Sequence, residues 1–527
     1  ALGVEGEGLS MRPLFAVSAG VRDPEGAKAS LSQKFTLAPG PGGVLVIRSS
    51  AAQKPSDPND DSDDDGGDGR YCELAPAFGA PSMRIVCAPD GERAAIALRE
   101  LGPWLTRTAP RAAPGDDLSL DLKMKPLRST LEGFRSTVGV MIAALFGSVS
   151  AGDAAVSLAG DALDFAIDLD SAAFRIDLDD AVATAHSTMR FTAKSSTLTR
   201  MVLSHADGGA SPPRTFWQLP ADADLAFYER GQDVSGIEKL GQAFTRLADK
   251  SLEEAGLKEA DRKALLSSVG KLPWTAPMAY ASGLDPAAVD AAAAAAKDPA
   301  ATRDAPAVLA RELSGWRMIE LDEPSSHVAS ALNDLSRAIA RPPVATLLAG
   351  GKGDVPPTFR ASALPKGVKL PAGSLHFALD LHGRHVAAGP KAPSWSVHLV
   401  LVPDGTRTWI GMGGDAALVA AKLTGAIAAP GDPRSELTPL DHDRVGAAGF
   451  LDVRSFPEAV VQLVAMAGDS LPEAFSMLQT SGTLPHKGLT PVVYSFTANP
   501  DDTAVGSLHV PRGAIEDAIV LALAHSP

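Results

Sequence analysis

Apolar residues recur along the chain with two spacings, and the change from one to the other predicts its elements. Strict alternation marks strands. Leu163, Phe165, Ile167 and Leu169 alternate with Asp164, Asp168 and Asp170, and Phe174, Ile176 and Leu178 continue the pattern, followed by 189–193. This predicts an antiparallel meander with one wet face. In 374–386, Leu375, Phe377, Leu379 and Leu381 form the predicted core face and His376, Asp380 and His382 the outer one, with 394–403 as the hairpin partner. Helical spacing marks the rest. Ile237, Leu240, Phe244 and Leu247 predict a helix over 235–255. Further helices are expected at 126–149, 259–269, 285–296 and 325–340, the last with Ser325 as its cap, and from about Gly513 to the end. The order strand, tight turn, helix recurs at 118–134, 225–240, 278–296 and 447–463.

One unit reads twice: 82–138 and 394–464 each give strand, Pro-Asp-Gly turn, strand, helix, Ala-Pro-Gly-Asp loop, strand and helix. The turns are Pro89–Gly91 and Pro403–Gly405, and the loops Ala113–Asp116 and Ala429–Asp432. The copies stand about 315 residues apart, far beyond a solenoid period of ~20–50 residues, so a duplicated module is expected. The expected fold class is α+β, with antiparallel sheets covered by helices on one face and internally duplicated. The expected domains are 1–205, with an acidic loop at 52–70; a helix-rich 206–345; and 346–527, related to the first, with the Pro- and Gly-rich 341–357 as the boundary.

Composition narrows the function classes. The 527 residues carry 63 acidic and 48 basic side chains, a formal net charge of −15, which opposes binding to nucleic acid or to anionic membrane surfaces. No run of ~18 apolar residues predicts a transmembrane segment. Cys72 and Cys87 are the only cysteines. Their closeness predicts a disulfide closing a short loop, and hence an oxidising compartment. The chain begins at Ala1 rather than Met, which is read as a mature secreted form or a trimmed one. A periplasmic or extracellular location, or one at the outer membrane, is expected.

The stretch FWQLPADADLAFYERG at 216–231, followed by LEEAGLKEADRKALL at 252–266, resembles uncharacterised secreted or periplasmic proteins of myxobacterial type, a family of unknown function. The resemblance covers 172–272 best. It implies an extracytoplasmic protein and brings no catalytic residues.

Candidate chemistry is sparse. Asp61, Asp63 and Asp65 with Gly66 match the opening of a calcium loop, but its twelfth position is Cys72 where a bidentate Glu is needed, so a solvated acidic loop is the alternative. His382 and His398, set opposite each other by the expected hairpin, could share a zinc with Asp380 as a distant third ligand; ordinary solvent-facing histidines are the alternative. Asp441-His442-Asp443 offers an acid–base pair with no second element to fix it. Gly411-Met412-Gly413-Gly414-Asp415-Ala416 imitates a dinucleotide fingerprint, but its strand leaves a hairpin, and Asp415 reads more simply as a helix cap. No nucleophile elbow, zinc-protease helix or phosphate loop occurs. No catalytic residue and no cofactor are therefore assigned. The expected function is a non-enzymatic binding or scaffold protein with an envelope protein or a lipid-like molecule as partner. The alternative is a hydrolase with dispersed catalytic residues.

Overall fold

The computed structural model describes residues 2–5, 12–49, 70–77, 83–88, 94–107, 117–125, 127–135, 137, 149–204, 211–231, 234–273, 276–284, 315–349, 355–364, 366–382, 394–440, 445–455 and 483–524. The chain is α+β and divides into two compact units, Ala1–Leu122 with Ala173–Leu178, and Lys123–Ala172 with Asp179–Pro527.

The first unit contains β1 (Leu2–Glu5), β2 (Arg12–Phe15), β3 (Val17–Val21), α1 (Pro24–Ser32), β4 (Phe35–Pro39), β5 (Leu45–Ser49), β6 (Arg70–Pro76), β7 (Met83–Cys87) and α2 (Ala94–Arg107). Asp23 opens α1 as a true cap, its carboxylate accepting from Gly26 N at 3.0 Å. Strands β3, β7, β6, β5 and β4 pair in that order, every pair antiparallel. The small core is aliphatic: Ala94, Ala97 and Leu98 of α2 pack on Ala16, Val86 and Ala88. Cys72 of β6 lies directly opposite Cys87 of β7, and the two are joined in a disulfide.

Beyond β8 (Leu118–Lys123) come α3 (Val149–Asp168), β9 (Leu169–Leu178), β10 (Val182–Phe191), α4 (Thr197–Val202), α5 (Arg214–Gln218), β11 (Leu225–Glu229), α6 (Val234–Glu254), α7 (Glu259–Val269), β12 (Met278–Gly283) and β13 (Trp316–Leu321). They are followed by α8 (Ser325–Ile339), α9 (Pro342–Ala349), β14 (Thr358–Ser362), β15 (Leu375–His382), β16 (Ser394–Asp404), β17 (Arg407–Gly413), α10 (Ala416–Ala428), β18 (Ala447–Asp452), β19 (Pro491–Asn499), β20 (Thr503–Pro511) and α11 (Arg512–Ala524). In the second unit the sheet runs β14-β15-β16-β17-β13-β12-β11-β18-β19-β20-β10, antiparallel at every step.

Helices cover both faces of the central strands, not one. On one face Val419, Leu423 and Ala426 of α10 and Phe216 and Trp217 of α5 bury Trp316, Met318, Val400, Val402 and Trp409. On the other, Val328, Ala329 and Leu332 of α8 bury Leu321, Phe377, Leu401 and Ile410. Successive strand residues point to opposite faces, so apolar residues stand at consecutive positions where both faces are covered, as at Leu399–Val402 of β16 and Trp409–Ile410 of β17.

Several expectations are corrected. The domains 206–345 and 346–527 are not separate, because β13 pairs with β17 and β11 with β18 within one sheet. The duplication is not upheld: β7 is followed by α2, whereas the Pro403–Gly405 turn leads into another strand, β17. That hairpin turns on Gly405 and Thr406, since Asp404 already pairs with Arg407, and Gly405 supplies the φ of 63° that a first central position needs. Residues 163–168 are helical rather than a strand. Of the helix expected over 126–149, residues 128–135 and 137 are helical, 138–148 lie outside the described residues, and α3 begins at Val149. Pro324, not Ser325, is the cap residue of α8.

Candidate functional site

Two places in the second unit combine unusual chemistry with a defined position. The first is at one end of strands β11, β12 and β18. Asp224 directly precedes β11 and is 1% exposed; Asp452 closes β18 and is 6% exposed. Asp452 N donates to Asp224 O at 2.7 Å, holding the two residues side by side. The Asp224 carboxylate accepts from Leu284 N at 3.0 Å and from Arg454 Nε at 2.5 Å. Gly283 makes room for it, since a Cβ there would stand 3.0 Å from Asp224 Oδ2. Arg454 is held from behind by Gly488, whose backbone at φ 65° leaves no space for a side chain, a Cβ meeting Arg454 Cβ at 2.8 Å. Burial, and then the charge of Asp224, push Asp452 up to about 7, with Arg454 opposing. Two adjacent carboxyls thus have different environments, one held by a guanidinium and the other shifted toward its neutral form at neutral pH.

The second place is the sheet face opposite α5 and α10, over β12, β11, β18, β19 and β20. One register row reads Tyr280, Phe227, Gly449, Tyr494, Leu508. The next reads Ser282, Leu225, Leu451, Val492. The large apolar side chains of both rows are half-buried, and Leu508 is 37% exposed. Phe227 and Tyr280 stack with centroids 5.0 Å apart. Gly449 is obligatory, because a Cβ would fall 2.3 Å from Ala226 O and 2.7 Å from Phe227 Cβ. Burial first, and then Glu229, push the Tyr494 hydroxyl up to about 12, so it is a neutral hydrogen-bonding group.

The residues singled out in the sequence are distributed differently. Asp61, Asp63, Asp65 and the triplet 441–443 lie outside the described residues. His382 pairs with Ser394, not with His398, which stands opposite Ala378. The register lies four residues from the expected one, and this places His376 beside His398, with Nε2 and Nδ1 3.1 Å apart. Asp380 is engaged by Ser396 Oγ at 2.6 Å and by Thr358 Oγ1 and Arg360 Nη2 at 3.1 Å each. These bonds, Ser396 first, hold its carboxyl below the usual range. Hence His382, His398 and Asp380 do not form the expected trio, and among the described residues no three His, Cys, Asp or Glu side chains are grouped to hold a metal.

The Gly411–Ala416 stretch has a packing explanation. β17 is antiparallel to both neighbours, and a Cβ at Gly411 would meet Val419 Cγ1 at 2.6 Å and Leu423 Cδ1 at 2.7 Å. The glycines let α10 lie close on the strand, and Asp415 caps that helix by accepting from Ala417 N at 2.7 Å. A shallow cavity of about 280 Å³ between α7 and α8 is lined by Ser267, Lys271, Asp334, Arg337 and Arg341, whose cations face Asp334 and Asp261. A serine–histidine contact, Ser507 Oγ to His509 Nε2 at 3.2 Å, lies on β20, with His509 Nδ1 3.4 Å from Thr184 Oγ1.

No known protein family, curated protein or solved structure matches the chain.

Proposed function

We propose that the protein is a non-enzymatic binding or scaffold protein working outside the cytoplasm, in the periplasm, beyond the cell or at the outer membrane. We infer that it takes an apolar, lipid-like molecule on the Tyr280–Leu508 face. The observation that carries this reading is the partly exposed row of Tyr280, Phe227, Tyr494 and Leu508, with Gly449 in its middle. An exposed or half-covered apolar patch is the feature that marks a ligand-binding surface, and flanking aromatics with one polar tip suit an amphiphile. The Cys72–Cys87 disulfide accords with an oxidising compartment. Among the described residues no helix is long and apolar enough to cross a membrane.

The test is fluorescence titration with N-phenyl-1-naphthylamine and displacement by a long-chain fatty acid. The folded wild type should take up the dye and release it to the fatty acid. Leu508→Arg, at an already exposed position, should weaken uptake several-fold. Absence of dye and fatty-acid binding to folded protein would reject the reading; dye binding unaltered by Leu508→Arg would move it off this face.

A hydrolase with dispersed catalytic residues is the second reading, and Asp224 beside Asp452 favours it. A carboxyl protonated near neutrality next to a charged one is the division of labour of acid–base pairs. Hydrolysis of a chromogenic ester or glycoside, abolished in Asp452→Asn, is the outcome that would raise this reading above the first.

A further inference from the structure

His376 lies on β15 at 5% exposure, between Ser362 of β14 and Val400 of β16. Its Nδ1 is 2.8 Å from Ala363 O. A carbonyl can only accept, so Nδ1 carries the hydrogen, and in the neutral ring Nε2 is a bare lone pair. That lone pair faces His398 Nδ1 at 3.1 Å, and the rings lie 26° from parallel. In register His398 stands between Ala378 and Gly413, so no bulky side chain occupies either neighbouring position of its own row.

A ring N–H fixed to a backbone carbonyl is the device that orients metal-binding histidines. Two imidazole nitrogens at 2.0–2.1 Å from a tetrahedral zinc stand about 3.3–3.4 Å apart, so a slight rocking of the half-buried His398 ring is enough to admit an ion. We propose that His376 Nε2 and His398 Nδ1 form an exchangeable two-histidine site for a divalent transition ion such as Zn²⁺, its remaining positions filled by water or an exogenous ligand. On binding, neutral His398 passes its hydrogen from Nδ1 to Nε2 through solvent. The ion takes one lone pair from each ring, and no net proton is released. Two protein ligands fall short of the four of a structural site, so the ion is not needed for folding.

The test is isothermal titration of the full chain with ZnCl₂ at pH 7.5, together with long-range ¹H–¹⁵N spectra of the histidine rings. One zinc should bind. It should shift Nε2 of one ring and Nδ1 of another among the eleven histidines of the chain. Binding should be lost in His376→Ala and in His398→Ala, and kept in His509→Ala. If an alanine variant does not fold, His398→Gln takes its place. No zinc binding to the wild type, binding that survives folded His398→Ala or His398→Gln, or ring shifts at other nitrogens would overturn the site.

Discussion

At the residue scale the Asp224–Asp452 pair makes stability depend on pH in an uncommon direction. A free aspartate titrates near 3.9, and Asp452 is pushed up to about 7. Between those values the native state keeps a proton that the unfolded chain releases. Stability is therefore greatest on the acid side and falls as pH rises toward 7, by as much as ~4 kcal/mol for three pH units. Asp452→Asn removes the titration and keeps the shape. Denaturant unfolding should find the variant more stable than wild type at pH 8, by a margin that shrinks steadily toward pH 4. Parallel curves across that range would show that Asp452 titrates normally. Nothing local in the sequence marks these residues. Asp224 and Asp452 read as ordinary acids at strand ends, and only the pairing of β11 with β18 sets them side by side and out of water.

At the element scale, α10 and β17 are matched through absent side chains. Gly411→Ala puts a methyl within 2.6–2.7 Å of Val419 and Leu423, and α10 must lift to admit it. The expected cost is about 1–3 kcal/mol. Gly425, inside the same helix with nothing within 4 Å, should behave oppositely, Gly425→Ala gaining about 0.5–1 kcal/mol by helix propensity. Thermal melts of the two variants read both signs, and equal effects would remove the packing argument. The elements that sequence made legible are those with one spacing: the β15–β16 hairpin, α8 and the terminal helix all stand where periodicity puts them. Residues 163–169 carry both spacings, because Leu163 and Ile167 also lie one helical turn apart, as do Leu158 and Ala162. Tertiary bonds favour the helix. Asp161 accepts from Thr197 N at 2.7 Å and Asp168 from Ser196 N at 2.8 Å, and both needs are met from one face of α3. The histidine site is half legible. Alternation places His376 and His398 on neighbouring strands, but nothing in the sequence of 383–393 states the register, and register decides which histidine meets which.

At the scale of the whole molecule, the second-unit sheet is interleaved rather than modular. β11, β12 and β13 form its middle, and their outer partners, β18 and β17, come from the last third of the chain. A fragment of residues 206–345 would leave both β11 and β13 as open edges, the arrangement that promotes aggregation. Expressed alone it should be insoluble or lack a cooperative unfolding transition. A monomeric fragment with a sharp melt would show that the middle strands are a domain after all.

The same interleaving sets a timetable for synthesis. Asp224 and its partner Arg454 are 230 residues apart in sequence, and translation at ~5–20 residues per second separates them by roughly 10–50 s. For that interval β11 has emerged without β18, and β13 waits a shorter time for β17, while pairings of such separation are slow to form in any case. The nascent chain must be kept from pairing with its neighbours until β18 arrives, so its yield in the cell should depend on holding chaperones more than on its final stability.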